Sequence, residues 1–189
     1  MIRSKPPEYL QSIVNGPISQ PDSDTCQSTC IYAVTGGHHS IESIRAALTA
    51  IGVAGDPAVM GAYLKEFFGD RYEYTAHASI SNIKDWIGLG DVVITHGWFT
   101  GVGHVIVIDG CDDRSLHVMD PWEEFSAATW SYPGGVGAFA GTYSDRLIYA
   151  ACVAGESLDD ADALYQEGAI DRSEGNAWVH RIKMVVKNA

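Results

Sequence analysis

The stretch SQPDSDTCQSTCIYAV, residues 19–34, places two cysteines four positions apart, where a polar turn gives way to an apolar run. Asp24 and Thr25 are residue types that often precede helices, so a short buried helix is predicted to begin at Cys26. A thiol at a helix N-terminus faces unpaired backbone N–H groups and the positive end of the helix dipole, and both favour the nucleophilic thiolate. Cys26 is therefore a candidate nucleophile, whereas Cys30, one turn further in, is predicted to pack in the core.

A cysteine nucleophile needs a base, and His104 and Asp120 are the candidates for the base and its orienting group. His104 begins the apolar run HVIVIDG, and Asp120 ends the run SLHVMD. The connection CDDR is short enough for an antiparallel hairpin, in which the start of one strand lies beside the end of the next. We therefore expect His104 and Asp120 to be neighbours, with Trp122 placed to screen the pair from water.

The remaining requirements of acyl transfer are an oxyanion hole and a substrate cleft. The backbone N–H of Cys26 is one possible oxyanion donor, and the side-chain amide of Gln20, in the loop before the helix, is a second. Trp98 and Trp130, together with Trp122, are candidates to line the cleft. Packing of these aromatic side chains in the core, or as a cover on the hairpin, is an equally open alternative.

A redox or metal role for Cys26 and Cys30 is the rival interpretation. The spacing C-x-x-x-C differs from the C-x-x-C of thioredoxin-like sites. A zinc site would also need a second pair of ligands, and the adjacent His38 and His39 cannot easily face one ion. No metal and no organic cofactor is therefore predicted.

The pattern along the chain predicts helices first and an antiparallel sheet second, which is an α+β fold. Helices are predicted over residues 26–34, 41–51, 57–68 and about 80–86, each with a polar residue, Asp or Pro at its start and most with Gly at the end. Strands are predicted over residues 91–99, 103–110, 115–122 and 147–154. Residues 131–144, SYPGGVGAFAGTYS, are predicted to form a Gly-rich aromatic loop.

The C-terminal region divides by charge. Residues 153–175 hold seven acidic residues and one arginine, whereas residues 176–189 hold basic residues and no acidic ones. This pattern predicts two packed terminal helices of opposite charge, the second amphipathic through Trp178, Val179 and Ile182. The expected organisation is one catalytic domain over residues 1–153 and a helical extension over residues 154–189.

Composition limits the classes of function. The chain has 189 residues, 46% of them hydrophobic, and a formal net charge of −12. A globular domain is expected, and the acidity argues against nucleic-acid binding, which requires a basic surface. No run of 18 apolar residues and no signal-peptide pattern is found, so no membrane segment is predicted and the chain is expected to be cytoplasmic as synthesised. The four cysteines are expected to be reduced.

The combination of Gln20, Cys26 at a helix start, Gly103–His104 before a strand, and the motif Asp-Pro-Trp at residues 120–122 resembles the papain-like cysteine peptidases. It is most similar to the branch that contains the bacteriocin-processing, double-glycine leader peptidases and the cell-wall-degrading enzymes of phages and bacteria. The similarity covers about residues 13–153. It implies a papain-like fold, with an N-terminal helical half packed on an antiparallel sheet, and the same catalytic set: Cys26, His104, Asp120 and the oxyanion donor Gln20.

The resemblance implies hydrolysis of amide bonds through a thioester, with a peptide or peptidoglycan as substrate. A wall-degrading enzyme without a signal peptide would need a phage or secretion device for delivery. Alternatives remain open at this point. The same three residues serve amidases and acyl transferases, a cytoplasmic protein-processing peptidase would carry the same signature, and a non-catalytic member would bind a peptide in the same cleft.

Overall fold

The computed structural model describes residues 16–53, 55–134 and 137–184, and these form the α+β fold predicted from the sequence. Its centre is a six-stranded antiparallel sheet with the spatial order β1-β6-β2-β3-β4-β5. The strands are β1 (Tyr72–Ala78), β2 (Val92–Gly97), β3 (His104–Cys111), β4 (Ser115–Asp120), β5 (Phe139–Ser144) and β6 (Ala177–Ile182). The last strand in sequence therefore lies near one edge of the sheet, between the first and second strands.

The helices begin at the polar residues that the sequence offers. Ser40 and Asp56 accept hydrogen bonds from the first turns of α2 and α3, and Ser79 forms a capping box with Asn82 at the start of α4. The helices are α1 (Cys26–Val34), α2 (Ile41–Ile51), α3 (Pro57–Phe68), α4 (Ile80–Gly88), α5 (Asp145–Ile148) and α6 (Leu158–Glu167). A short 3₁₀ turn, Gly69–Arg71, precedes β1, and a π-helical segment, Tyr149–Ala154, continues α5.

Both faces of the sheet are covered, which explains the unbroken apolar run of β3. Val105 and Val107 pack with α1, α2 and α3 on one face. Ile106 and Ile108 pack with α4, α6 and the π-helical segment on the other. Residues 105–108 are buried on both faces and present no polar side, so this part of β3 is apolar rather than alternating.

The β3–β4 hairpin positions the two charged residues of the candidate site. The strands pair antiparallel, with Val107 opposite Met119 and Ile108 opposite Val118. His104 is the first residue of β3 and Asp120 is the last residue of β4, so the hairpin holds both at the same edge of the sheet. This is the arrangement that the short connection predicts.

The structure corrects two sequence predictions. The prediction of a second terminal helix is wrong, because residues 177–182 form β6, which pairs with both β1 and β2. The rest of that predicted helix, residues 185–189, lies outside the described residues. The predicted extension over 154–189 thus contributes one helix, α6, and one strand of the sheet. The predicted strand at 147–154 is also wrong: this segment is helical and buried, and an apolar run surrounded by protein carries no period that distinguishes helix from strand.

Two strands were missed by the sequence prediction. β1 comes directly after α3 and its 3₁₀ turn, and β5 lies inside the segment that is predicted to be a Gly-rich loop. β5 pairs with β4 over its whole length, from Ser115 opposite Ser144 to Asp120 opposite Phe139. Its single glycine and its mixed burial conceal the strand pattern. Within the described ranges, no helix has both the length and the apolar character needed to cross a bilayer.

Candidate active site

Cys26 is the first residue of α1, as predicted, and its side chain is partly exposed. The residue before it, Thr25, does not cap the helix with its side chain, since its hydroxyl donates to the carbonyl oxygen of Asp22 at 3.1 Å. The N–H groups of the first turn are therefore not satisfied by that side chain. An uncapped helix N-terminus is an electropositive environment, which favours binding of an anion beside Cys26.

His104 and Asp120 form a buried pair. Nε2 of His104 lies 2.8 Å from Oδ1 of Asp120, and the two residues are 5% and 0% exposed. The His104 ring also makes edge contacts with the rings of Phe99 and Tyr132. The bond through Nε2 leaves Nδ1 as the nitrogen available for a reaction partner.

The pKa of His104 depends on both Asp120 and Cys26. Burial lowers the pKa of His104, but the Asp120 carboxylate and an interaction with the Cys26 thiol outweigh burial and raise the pKa to about 9. The imidazole is therefore protonated at neutral pH. His104 therefore interacts with both Asp120 and Cys26.

Asp120 is held by more donors than His104 alone. Its Oδ1 also accepts from the backbone N–H of Trp122 at 3.0 Å, and its Oδ2 accepts from the hydroxyls of Tyr132 at 2.8 Å and Tyr143 at 2.9 Å. Burial, followed by the charge of Asp120, raises the pKa of both tyrosines, so both remain donors at neutral pH. The four hydrogen bonds fix the orientation of this buried carboxylate.

The role of Tyr143 in this network was missed from the sequence. Tyr143 lies in β5, a segment predicted to be a loop, and its approach to Asp120 depends on the pairing of β4 with β5. No local pattern carries that information.

Gln20 lies beside the site, but its side-chain amide donates within its own loop, to Asp22. Its backbone N–H donates to the carbonyl oxygen of Pro121 at 2.8 Å, which ties the loop of Gln20 to the residue after Asp120. Its side-chain Nε2 donates to Asp22 O at 2.6 Å, while Oε1 is buried with no hydrogen-bond partner. Rotation of the amide by half a turn would place the nitrogen where the unpartnered oxygen now lies.

Cys30 packs in the core, as predicted. It is 0% exposed, and its thiol donates to the carbonyl oxygen of Val105 at 3.3 Å. Burial raises the pKa of the Cys30 thiol well above its usual value, with smaller contributions from the charges of Cys26 and Asp120. Such a thiol is a poor nucleophile. All four cysteines are free thiols.

The three tryptophans proposed for substrate binding occupy different environments. Trp122 is 37% exposed and follows Asp120 by two residues. Trp98 is partly buried, and its carbonyl oxygen accepts from the indole N–H of Trp130 at 3.1 Å. Trp130 is only 6% exposed and packs on Phe125 and Tyr165, so the structure places it in the core rather than in a cleft. The alternative of core packing is thus the correct one for Trp130.

Comparisons with known proteins show a similarity of fold. No protein-family model matches the chain, and no curated protein matches it. Among solved structures, the chain is similar to a candidate C39-like peptidase from Bacillus anthracis, with a TM-score of 0.50 and 14% sequence identity over 93% of this chain and 97% of that one. The two proteins share a fold. At this identity the likeness supports the papain-like architecture and leaves activity to be inferred from the site.

Proposed function

We propose that this protein is a cysteine peptidase in which Cys26 is the nucleophile, His104 the general acid and base, and Asp120 the group that orients His104. The observation that carries the proposal is the buried 2.8 Å bond between His104 and Asp120, beside a partly exposed thiol at a helix N-terminus. The similarity of fold to a candidate C39-like peptidase supports the same class of chemistry.

The reaction follows from the resting charges. With His104 protonated, Cys26 reacts as the thiolate, and its sulfur attacks the carbonyl carbon of the scissile amide to form a tetrahedral oxyanion. Collapse of this intermediate breaks the C–N bond, and His104 gives its proton to the leaving amine. The neutral imidazole then takes a proton from water, the resulting hydroxide attacks the thioester, and the acid product and the Cys26 thiolate are released. Asp120 holds the ring by Nε2 throughout.

The oxyanion is expected to bind at the start of α1. The backbone N–H of Cys26 is one donor, and we propose that the Gln20 amide turns away from Asp22 on substrate binding and supplies the second. The buried, unpartnered Oε1 of Gln20 supports this step, because turning the amide places a donor there instead. Donors aimed at a developing oxyanion typically contribute about 10²–10³ in kcat.

For substrate, we propose peptide stems or cross-links of peptidoglycan, in an enzyme of the phage lytic or cell-wall-degrading type. This proposal depends on the sequence resemblance to that branch and on the half-exposed Trp122 beside Asp120, which offers an aromatic surface near the reacting bond. A protein-processing peptidase in the cytoplasm is the alternative. Release of new amino groups from purified peptidoglycan, compared with release from casein, distinguishes the two.

The experiment that tests the chemistry is brief labelling of the folded protein with substoichiometric iodoacetamide at neutral pH, followed by peptide mass spectrometry. The expected result is selective alkylation of Cys26 that is lost in the His104→Ala variant. Cys30, in the same chain and buried, is the internal control and should remain unlabelled. Equal or negligible labelling of all four cysteines would mean that no thiolate is activated, and a peptide-binding module without catalysis would then be the better description.

A further inference from the structure

A second set of histidines lies on the face of the sheet that carries α1, α2 and α3. The hydroxyl of Tyr72 in β1 lies 2.8 Å from Nδ1 of His180 in β6, and Nε2 of His180 lies 3.0 Å from Nε2 of His96 in β2. Tyr72 and His180 are 8% and 0% exposed, while His96 is partly exposed. Three neighbouring strands thus contribute to one hydrogen-bonded chain that runs from the core towards the surface.

The helix above this chain is shaped to fit it. A Cβ atom at Gly61 in α3 would lie 2.7 Å from the Tyr72 hydroxyl and 3.8 Å from Cε1 of His180. The missing side chain of Gly61 thus lets α3 approach Tyr72 closely. Tyr72 is buried beneath this helix, whereas His96 is partly exposed.

Tyr72 determines which atom donates and which accepts in each hydrogen bond from Tyr72 through His180 to His96. The only hydrogen bond of its hydroxyl within the described residues is the one to His180, so a buried hydroxyl proton is satisfied only if Tyr72 donates to Nδ1. His180 must then carry its proton on Nε2 and donate it to Nε2 of His96. His96 consequently accepts at Nε2 and carries its own proton on Nδ1. Nδ1 of His96 is not a buried atom left without a hydrogen-bond partner.

His96 pairs with Val105 across β2 and β3, and Val105 packs with α1, the helix that begins at Cys26. The next residue of β2, Gly97, pairs with His104. Burial, together with the positive charge of His104, lowers the pKa of His96 to about 4, against the opposing effect of Asp56. The ring of His96 is therefore neutral at pH 7, and its Nδ1–H is a donor that does not change with pH in the neutral range.

The surroundings of His96 form a surface with aromatic and acidic components. Trp178, 49% exposed, lies edge-on to His96 with 6.4 Å between the ring centroids, and Tyr74, 45% exposed, lies 5.2 Å from His180. The segment that leads to Asp56 is tied to the first turn of α1, since Gly55 N donates to Oε1 of Gln27 at 3.2 Å. The segment before Asp56 is therefore held against the helix that begins at Cys26.

We propose that His96, with its proton fixed on Nδ1 by the chain from Tyr72 through His180, donates a hydrogen bond to a carbonyl oxygen of the bound peptide and packs it beside Trp178. This inference rests on the proposed peptidase function and assigns a substrate subsite to it. Tyr72 and His180 are positioning residues, because they act only through the tautomer of His96.

The tautomers can be measured without reference to activity. Long-range ¹H–¹⁵N correlation spectra of the protein labelled at histidine, at pH 7, should show His180 protonated at Nε2 and His96 at Nδ1. Tyr72→Phe should abolish this preference and populate both tautomers. The reverse pattern, with His96 protonated at Nε2 in the wild type, would overturn the assigned direction and with it the proposed donor.

The subsite is tested by kinetics on a fluorogenic peptide library with a donor–quencher pair. His96→Phe should raise KM about three- to tenfold with kcat nearly unchanged, the loss expected for one hydrogen bond. His96→Asn is the matched variant, because its amide places a donor near the position of Nδ1, and it should recover part of the loss.

The outcomes distinguish failure of the proposed subsite from failure of the proposed peptidase function. An unchanged KM in His96→Phe, in a protein whose wild type cleaves the library, would overturn the subsite and leave the peptidase intact. Absence of cleavage by the wild type would overturn the proposed function itself, and the subsite with it. Equal KM values for His96→Asn and His96→Phe would show that a donor at Nδ1 has no part in binding.

Discussion

The hydroxyl of Tyr143 donates to Oδ2 of Asp120 at 2.9 Å and accepts from the backbone N–H of Phe125 at 2.9 Å. One side chain in β5 thus fixes both the carboxylate at the end of β4 and the loop that follows it. The orientation of Asp120, and through it that of His104, depends on correct pairing of β4 with β5.

Tyr143→Phe should destabilise the fold. The change leaves the Phe125 N–H and one acceptor site of Asp120 without a partner in a buried region, and an unsatisfied buried group costs about 1–3 kcal/mol. Urea unfolding at pH 7 measures the effect, with the partly exposed Tyr63→Phe as control, which should change the unfolding free energy by less than about 0.5 kcal/mol. Equal stability of the two variants would contradict a bonded role for the hydroxyl.

Asp120→Asn should lower kcat with the fold retained. The neutral amide has a similar shape but cannot hold a protonated His104 in the same way, and a comparable change in a catalytic triad costs about 10⁴ in kcat. Steady-state cleavage of the library peptides measures it, with circular dichroism to verify folding. Asp113→Asn, at an exposed position of the hairpin turn, should leave kcat unchanged. A folded Asp120→Asn enzyme with full activity would remove Asp120 from the mechanism.

Cys26→Ala should affect activity, whereas Cys30→Ala should affect stability. Cys26→Ala should abolish turnover at nearly unchanged stability, because the thiol is at the surface end of α1. Cys30→Ala removes a buried thiol and its bond to Val105 O, so it should cost on the order of 1 kcal/mol of stability and retain activity. Activity assays and thermal unfolding of both variants check this. Loss of activity in folded Cys30→Ala, with activity kept in Cys26→Ala, would invert the assignment.

The stability of the protein should fall as the pH rises from about 6.5 to about 9. The folded-state pKa of His104 is raised to about 9 from 6.5, so the folded protein holds this proton more tightly than the unfolded chain does. The stabilisation is fully present below pH 6.5 and is lost as the pH passes through 9. Unfolding free energies across this range measure it, and the His104→Gln variant should show a flatter profile. An identical slope in that variant would refute the contribution.

Removal of β6 should unfold the protein. β6 pairs with β1 on one side and β2 on the other, so a chain that ends at Gly175 removes the neighbour of edge strand β1 and one of the two neighbours of β2. Loss of the cooperative thermal transition is expected. A chain that ends at Met184, which keeps β6, is the control and should unfold cooperatively. A stable, folded product of the shorter truncation would show that residues 176–189 are a dispensable extension after all.

The sequence by itself determined the elements whose signals are local. Asp24 and Thr25 before an apolar run predict the start of α1 at Cys26, and the short connection of the β3–β4 hairpin predicts that His104 and Asp120 meet. In each case the relevant residues lie close together along the chain, so backbone geometry and residue type are sufficient. The buried character of Cys30 follows from helical spacing in the same way.

Only the tertiary structure decided the features that depend on distant parts of the chain. Residues 177–182 have a mixed pattern that suits an amphipathic helix, and they become a strand because β1 and β2 leave a place between them. The four bonds to Asp120 and the chain from Tyr72 to His96 join residues from separate strands. Cross-strand contacts depend on register and strand order, which propensity and periodicity along one chain do not encode.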